Sequence, residues 1–200
     1  MPWVYYVTNK LGKMSDDDKN NNATMIYNQL GSYGWTLNAI CGVLGNMTVE
    51  SQLNPAQTQV GYPIGSLKGG YGLVQWTPAS KYVNWAKANN HNITDGYWQL
   101  YDLSNQAHGT EYYATSSFPL SYDEFKVSDE TPAYLTEAFL KNYERAGVEV
   151  LSKRVEWAEH WYEYLSGQPA PEPPVPPQPK RDKSGLPVWM MIKYVWKEIM

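Results

Sequence analysis

The sequence predicts an α+β domain that is mostly α, with a Pro-rich linker and a short C-terminal helix behind it. Three observations carry this. Apolar residues recur at helical spacing behind cap residues in several segments before Gly167. Ser51 to Lys68 is polar, contains Pro and Gly, lacks that period, and leads into a glycine-rich strand candidate ending at Gln75-Trp76. After Gly167 the composition changes: seven of the fourteen prolines fall between Pro169 and Pro179. The expected division is a domain over 1–167, a linker over 168–183 and an apolar tail over 184–200.

Trp3 to Thr8 reads as a short extended segment. Ser15 is a good N-cap, and Asp16, Asp17 and Asp18 then face the positive end of a helix dipole, so capping explains this acidic run better than calcium does. That helix should run to about Leu30, with Met25, Ile26 and Leu30 inward. Gly31 to Gly34 breaks it, and Thr36 caps the next helix. There Ile40, Val43, Leu44 and Met47 recur at i, i+3, i+4 and i+7. Glu50 follows on the same apolar face. A carboxyl against an apolar wall is disfavoured in its charged form, which suits a general acid. The other reading of Glu50 is a solvated residue at a frayed helix end, and local pattern alone leaves both open.

Gly69, Gly70 and Gly72 flank Tyr71, but no Lys and helix start follow as in a phosphate-binding loop. Ser80 is expected to cap a helix to about Asn89. Further helices are expected over 95–106, 121–127, 131–144 and 149–165, with Tyr112 to Pro119 irregular. The prolines beyond Gly167 form a semi-rigid polyproline spacer. In the tail, Val188, Met191, Ile192, Val195 and Ile199 share one face of a helix too short, and too rich in Lys, to span a bilayer. It reads as an interfacial or partner-docking helix, or as the start of a further domain.

Composition narrows the function classes. The net charge of −4 and the lack of a basic stripe argue against a nucleic-acid surface. The single cysteine, Cys41, sits in the apolar helix and reads as a structural thiol. His91, His108 and His160 lack metal-ligand spacing, so neither a metal nor a cofactor is expected. Nine Trp and seventeen Tyr against three Phe suit stacking on sugar rings as well as core packing. The N-terminal residues lack the basic region and apolar core of a secretory signal.

Two motifs sharpen this. I-C-G-V-L-G-N-M-T-V-E-S (Ile40 to Ser51) is followed about twenty residues later by G-Y-G-L-V-Q-W-T-P-A-S (Gly70 to Ser80), and F-L-K-N-Y-E-R (Phe139 to Arg145) lies further on. Together they resemble the phage tail lysozyme family, related to goose-type lysozymes and soluble lytic transglycosylases. The resemblance covers roughly Val4 to Gly167. It implies a lysozyme-like domain with a small β-element beside the cleft. It also implies a peptidoglycan-cleaving enzyme carried in a phage tail, which would reach the wall without a signal peptide. Glycan strands would be its substrate, and other tail proteins would be partners through the tail helix.

By that resemblance Glu50 protonates the leaving oxygen, Ser51 orients it, and Tyr71, Gln75, Trp76, Thr77 and Tyr143 line the sugar cleft. Gln75 is equally readable as a backbone-bridging amide, and Glu144 with Arg145 as an ordinary charged pair. No Asp or Glu lies between Glu50 and Asp95. The β-element therefore cannot supply the nearby nucleophile of a retaining, hen-type lysozyme. Three routes stay open. A distant carboxylate, with Glu144 the first candidate, could position water. Ser51 and Thr77 could hold the water instead. The substrate's own 6-hydroxyl could attack, as in a lytic transglycosylase. A non-catalytic wall-binding or tail structural module is the competing class.

Overall fold

A computed structural model describes residues 2–145 and 150–169. Among them are seven α-helices: α1 (Asp16–Ser32), α2 (Leu37–Ser51), α3 (Ser80–Ala88), α4 (Gly96–Asn105), α5 (Tyr122–Lys126), α6 (Pro132–Phe139) and α7 (Leu151–Ser166). A π-helical turn, Leu140–Glu144, follows α6 directly. The expected linker beyond residue 169 and the tail helix lie outside the described residues.

Helix α2 is the axis of the molecule. Thr36 Oγ1 accepts from Ala39 N, and every residue from Ala39 to Thr48 is buried. A helix apolar all round needs neighbours on all sides, and α6 and α7 supply two of them. Two glycines set the spacing. A Cβ on Gly42 would sit 2.9 Å from the Leu135 carbonyl carbon, and one on Gly45 would run into the Arg154 carbonyl oxygen. Polar cross-links complete the contact: Asn46 Nδ2 donates to Thr136 O at 3.0 Å, and Trp161 Nε1 donates to Thr48 Oγ1 at 2.8 Å.

Helix α1 begins as expected, with Ser15 and Asp18 forming a reciprocal capping box. The N-terminal segment is held by two asparagines. Asn22 bonds both the N–H and the C=O of Val4, and Asn54 does the same for Tyr6. Cys41 is fully buried, and burial pushes its thiol up to about 12, as a structural thiol requires.

Three expectations need correction. Ser80 is the first residue of α3 and does not cap it; Ala79 holds that position with no side-chain bond. The helix expected over 131–144 changes type after Phe139. Its last turn widens so that Arg145 N donates to Leu140 O at 2.8 Å, five residues back. The β-element expected beside the cleft reduces, among the described residues, to isolated bridges: Thr8 with Gln57, Thr58 with Tyr71, and Tyr71 with Trp76. Side chains do the work that a ladder would do. Gln99 Oε1 accepts from Leu73 N, and its Nε2 donates to Pro55 O and Ile93 O. Gly72, at φ +80°, lies where a Cβ would come within 2.6 Å of that amide.

Candidate active site

The end of α2, the 57–77 loop, the start of α3 and the π-helical turn enclose a groove of about 640 Å³. Its lining includes Glu50, Gln75, Trp76, Thr77, Tyr143 and Glu144, brought together from three separate stretches of chain. The volume falls in the range of small-ligand sites.

Glu50 stands on the last turn of α2 with its side chain 21% exposed. Its surroundings differ from the purely apolar wall expected of the sequence. Arg154 Nη2, from α7, donates to Glu50 Oε1 at 2.6 Å, and the Arg154 side chain is only 3% exposed. Arg154 Nη1 donates to Asn46 Oδ1 at 3.1 Å, so the guanidinium ties α2 to α7 and fixes Glu50 together.

Glu144 closes the π-helical turn. Its Oε1 is sealed from solvent and has no hydrogen-bond partner. Burial, and then the charge of Glu50, push its carboxyl well above the usual carboxylate range, against the opposing pull of Arg154 and Arg145. The groove therefore holds two carboxyls in unlike settings, one clasped by a guanidinium and one half-buried, with one oxygen sealed from solvent and unpartnered among the described residues. Such pairs divide acid and base roles in catalytic sites.

The aromatic wall is rigid. Trp76 Nε1 donates to Tyr143 Oη at 2.9 Å. Trp76 stacks on Tyr82 at 4.6 Å between ring centroids, and Tyr143 stacks on Phe139 at the same separation. Asn142 braces the turn, donating to Tyr112 Oη and Phe118 O. Gln75 lines the groove, but its Nε2 donates to Gly72 O and Gln57 O, so it bridges backbone as well. Thr77 is exposed at the rim. Ser51 and Tyr71 do not line the groove. Ser51 Oγ donates to Met47 O and Leu73 O, tying the helix end to the glycine loop and leaving Glu50 untouched. Tyr71 is buried and stacks on Tyr82.

Sequence reasoning missed Arg154, Glu111 and Lys81. Arg154 is one of several charged residues of α7, 104 positions after Glu50, and no local spacing connects the two. Glu111 and Lys81 belong to no motif in the sequence. Their meeting on the groove wall depends on the packing of α3 against the segment after α4.

The model of the family described as phage tail lysozyme matches residues 21–165 of this chain. The chain belongs to the phage tail lysozyme family. Morphogenesis protein 1 of Bacillus phage B103 is 38% identical over 147 residues, 74% of this chain and 40% of that relative. The chain thus matches less than half the length of that curated relative. A mostly helical architecture with a groove at the end of a buried helix is consistent with a lysozyme-like fold, and both matches place this phage tail lysozyme family member among phage proteins.

Proposed function

We propose that the protein cleaves the β-1,4 bond between N-acetylmuramic acid and N-acetylglucosamine in peptidoglycan. In this reading it is a glycoside hydrolase of the muramidase type, carried in the phage tail and acting on the bacterial wall during infection. The observation that carries the reading is the pairing of Glu50 and Glu144 in one aromatic-walled groove. Glu50 gives its proton to the glycosidic oxygen as the C1–O bond breaks. The developing oxocarbenium charge is met by the second carboxylate. Water adds to C1 and leaves its proton on that carboxylate, which gives inversion. Trp76 and Tyr143, both almost fully buried, form the floor of the groove against which the sugar rests, while Gln75 and Thr77 offer polar atoms along the rim. The residues of the tail remain the proposed contact with other tail proteins.

A second division of roles is favoured by one observation, the 2.6 Å contact between Arg154 and Glu50. In it Glu50 is the group paired with the guanidinium, and the raised carboxyl of Glu144 carries the proton. Digestion of purified peptidoglycan followed by mass analysis tests the overall proposal. Fragments ending in a hydrated N-acetylmuramic acid support it. Anhydro fragments, one water lighter, assign a lytic transglycosylase instead. No release of glycan fragments leaves a wall-binding or structural module.

A further inference from the structure

The same groove carries a second charged cluster that the cleavage step does not use. Glu111 is 12% exposed, and its Oε1 lies 2.7 Å from Lys81 Nζ and 3.3 Å from His108 Nε2. Its Oε2 lies 3.3 Å from Arg145 Nη2. Behind it, His108 Nδ1 is 2.6 Å from Asp102 Oδ2, and both of those side chains are buried. One carboxylate therefore anchors two cations on the groove wall.

Those cations are not consumed by it. The Lys81 and Arg145 side chains are 36% and 44% exposed, and both line the groove. An ammonium has three donors and a guanidinium five. Lys81 uses one on Glu111. Arg145 is also fixed from behind, with Nη1 donating to the carbonyls of Glu111 and Asn142. Cations already held in place lose little freedom when an anion arrives. On this wall two cations face one carboxylate, while Glu50, elsewhere in the groove, is paired with Arg154 and Glu144 lies beyond Arg145, so the Lys81–Arg145 side is the part of the groove that favours an incoming anion.

We propose that Lys81 and Arg145 form a carboxylate-binding subsite that recognises the lactyl carboxylate of N-acetylmuramic acid, free or extended by its peptide. The subsite separates wall glycan from neutral N-acetylglucosamine polymers. This rests on the reading of the groove as a glycan site. Glu111 keeps the two cations at a fixed separation and stops them from binding any passing anion too tightly.

The test is a binding titration on the full chain carrying Glu50→Gln, so that the sugar survives. The probes are a muramyl-containing tetrasaccharide, its methyl ester, and the N-acetylglucosamine tetramer. The acid should bind about tenfold more tightly than the ester at low salt, a gap that narrows as salt rises. Adding Lys81→Gln should remove about fivefold of that preference, and Lys81→Arg should restore most of it. Lys81 is half-exposed, and Glu111 keeps two other partners, so the fold tolerates the change. Equal binding of acid and ester overturns the subsite alone, as does a preference that Lys81→Gln leaves intact. Binding of none of the probes overturns the glycan reading and the subsite together. Glycerol phosphate that displaces the muramyl sugar better than lactate does would reassign the cations to wall phosphodiesters and overturn the muramyl assignment.

Discussion

Arg154 Nη2 sits 2.6 Å from Glu50 Oε1, and the same guanidinium reaches Asn46 Oδ1 at 3.1 Å. One side chain of α7 thus fixes both the helix pair and the carboxylate at its end. Arg154→Lys keeps the charge but cannot reach both partners at once. It should cost about 1–3 kcal/mol in urea unfolding and lower wall clearing at least tenfold. Arg154→Met should cost more, about 3–5 kcal/mol, because it leaves Glu50 without a cation. A merely structural role predicts no change in the pH profile. Here the alkaline limb of the Arg154→Lys protein should move, because an ammonium in place of the guanidinium sets the positive charge at a different distance from the Glu144 carboxyl.

At Gly45 the backbones of α2 and α7 come close together. A methyl there meets the Arg154 carbonyl oxygen and comes within 2.9 Å of the Ala158 Cβ. Gly45→Ala should therefore destabilise by about 2–3 kcal/mol, although alanine is the better helix former. Activity should fall further than stability alone explains, since Arg154 is displaced with its backbone. Denaturant midpoints and clearing rates measured side by side check this.

The buried carboxyl of Glu144 gives a signed prediction. Its pKa in the folded protein lies above the ordinary 4.5, so the folded state holds that proton more tightly than the unfolded chain does. Its burial costs little below the ordinary value and weighs against folding as pH rises past it. Glu144→Gln should then raise the melting temperature at neutral pH by about 2–4 °C, with the gain fading by about pH 4. Clearing should fall steeply in the same protein. A gain over the parent protein of the same size at both pH values would contradict the assigned setting of Glu144.

His108 has the opposite sign. Burial alone lowers its pKa, but the hydrogen bond and charge of Asp102, with Glu111 behind, hold it above the ordinary 6.5. The stabilisation is complete below that value and is lost as pH rises through the raised one. His108→Gln should therefore be most destabilising in mild acid, by roughly 1 kcal/mol, with the difference from the parent protein shrinking towards alkaline pH. Melting curves over a pH series measure it.

Much of this was legible in the chain. Ser15, Thr36 and Ser121 marked helix starts because capping is local chemistry. The order of the helices followed from periodicity, and Glu50, Trp76 and Tyr143 were identified as groove residues from motifs. What stayed hidden was set by contacts across long separations. The widened turn at 140–144 arises where Asn142 locks onto Tyr112 and Phe118, residues distant in sequence. The strand expected near Gln75 was replaced by the buried Gln99 amide, and no pattern around residue 75 reveals that donor. Ser51, adjacent to Glu50 in sequence, points to Leu73 because the helix turns it 100° away.

The central claim is that Glu50 acts on a wall glycan held in this groove. The most direct measurement is the rate at which Glu50→Gln clears purified peptidoglycan, set beside its melting temperature and its affinity for an uncleaved glycan. The account predicts a loss of about 10²–10⁴-fold in rate, with folding and binding retained. Clearing at close to the parent rate by a folded Glu50→Gln protein would contradict it.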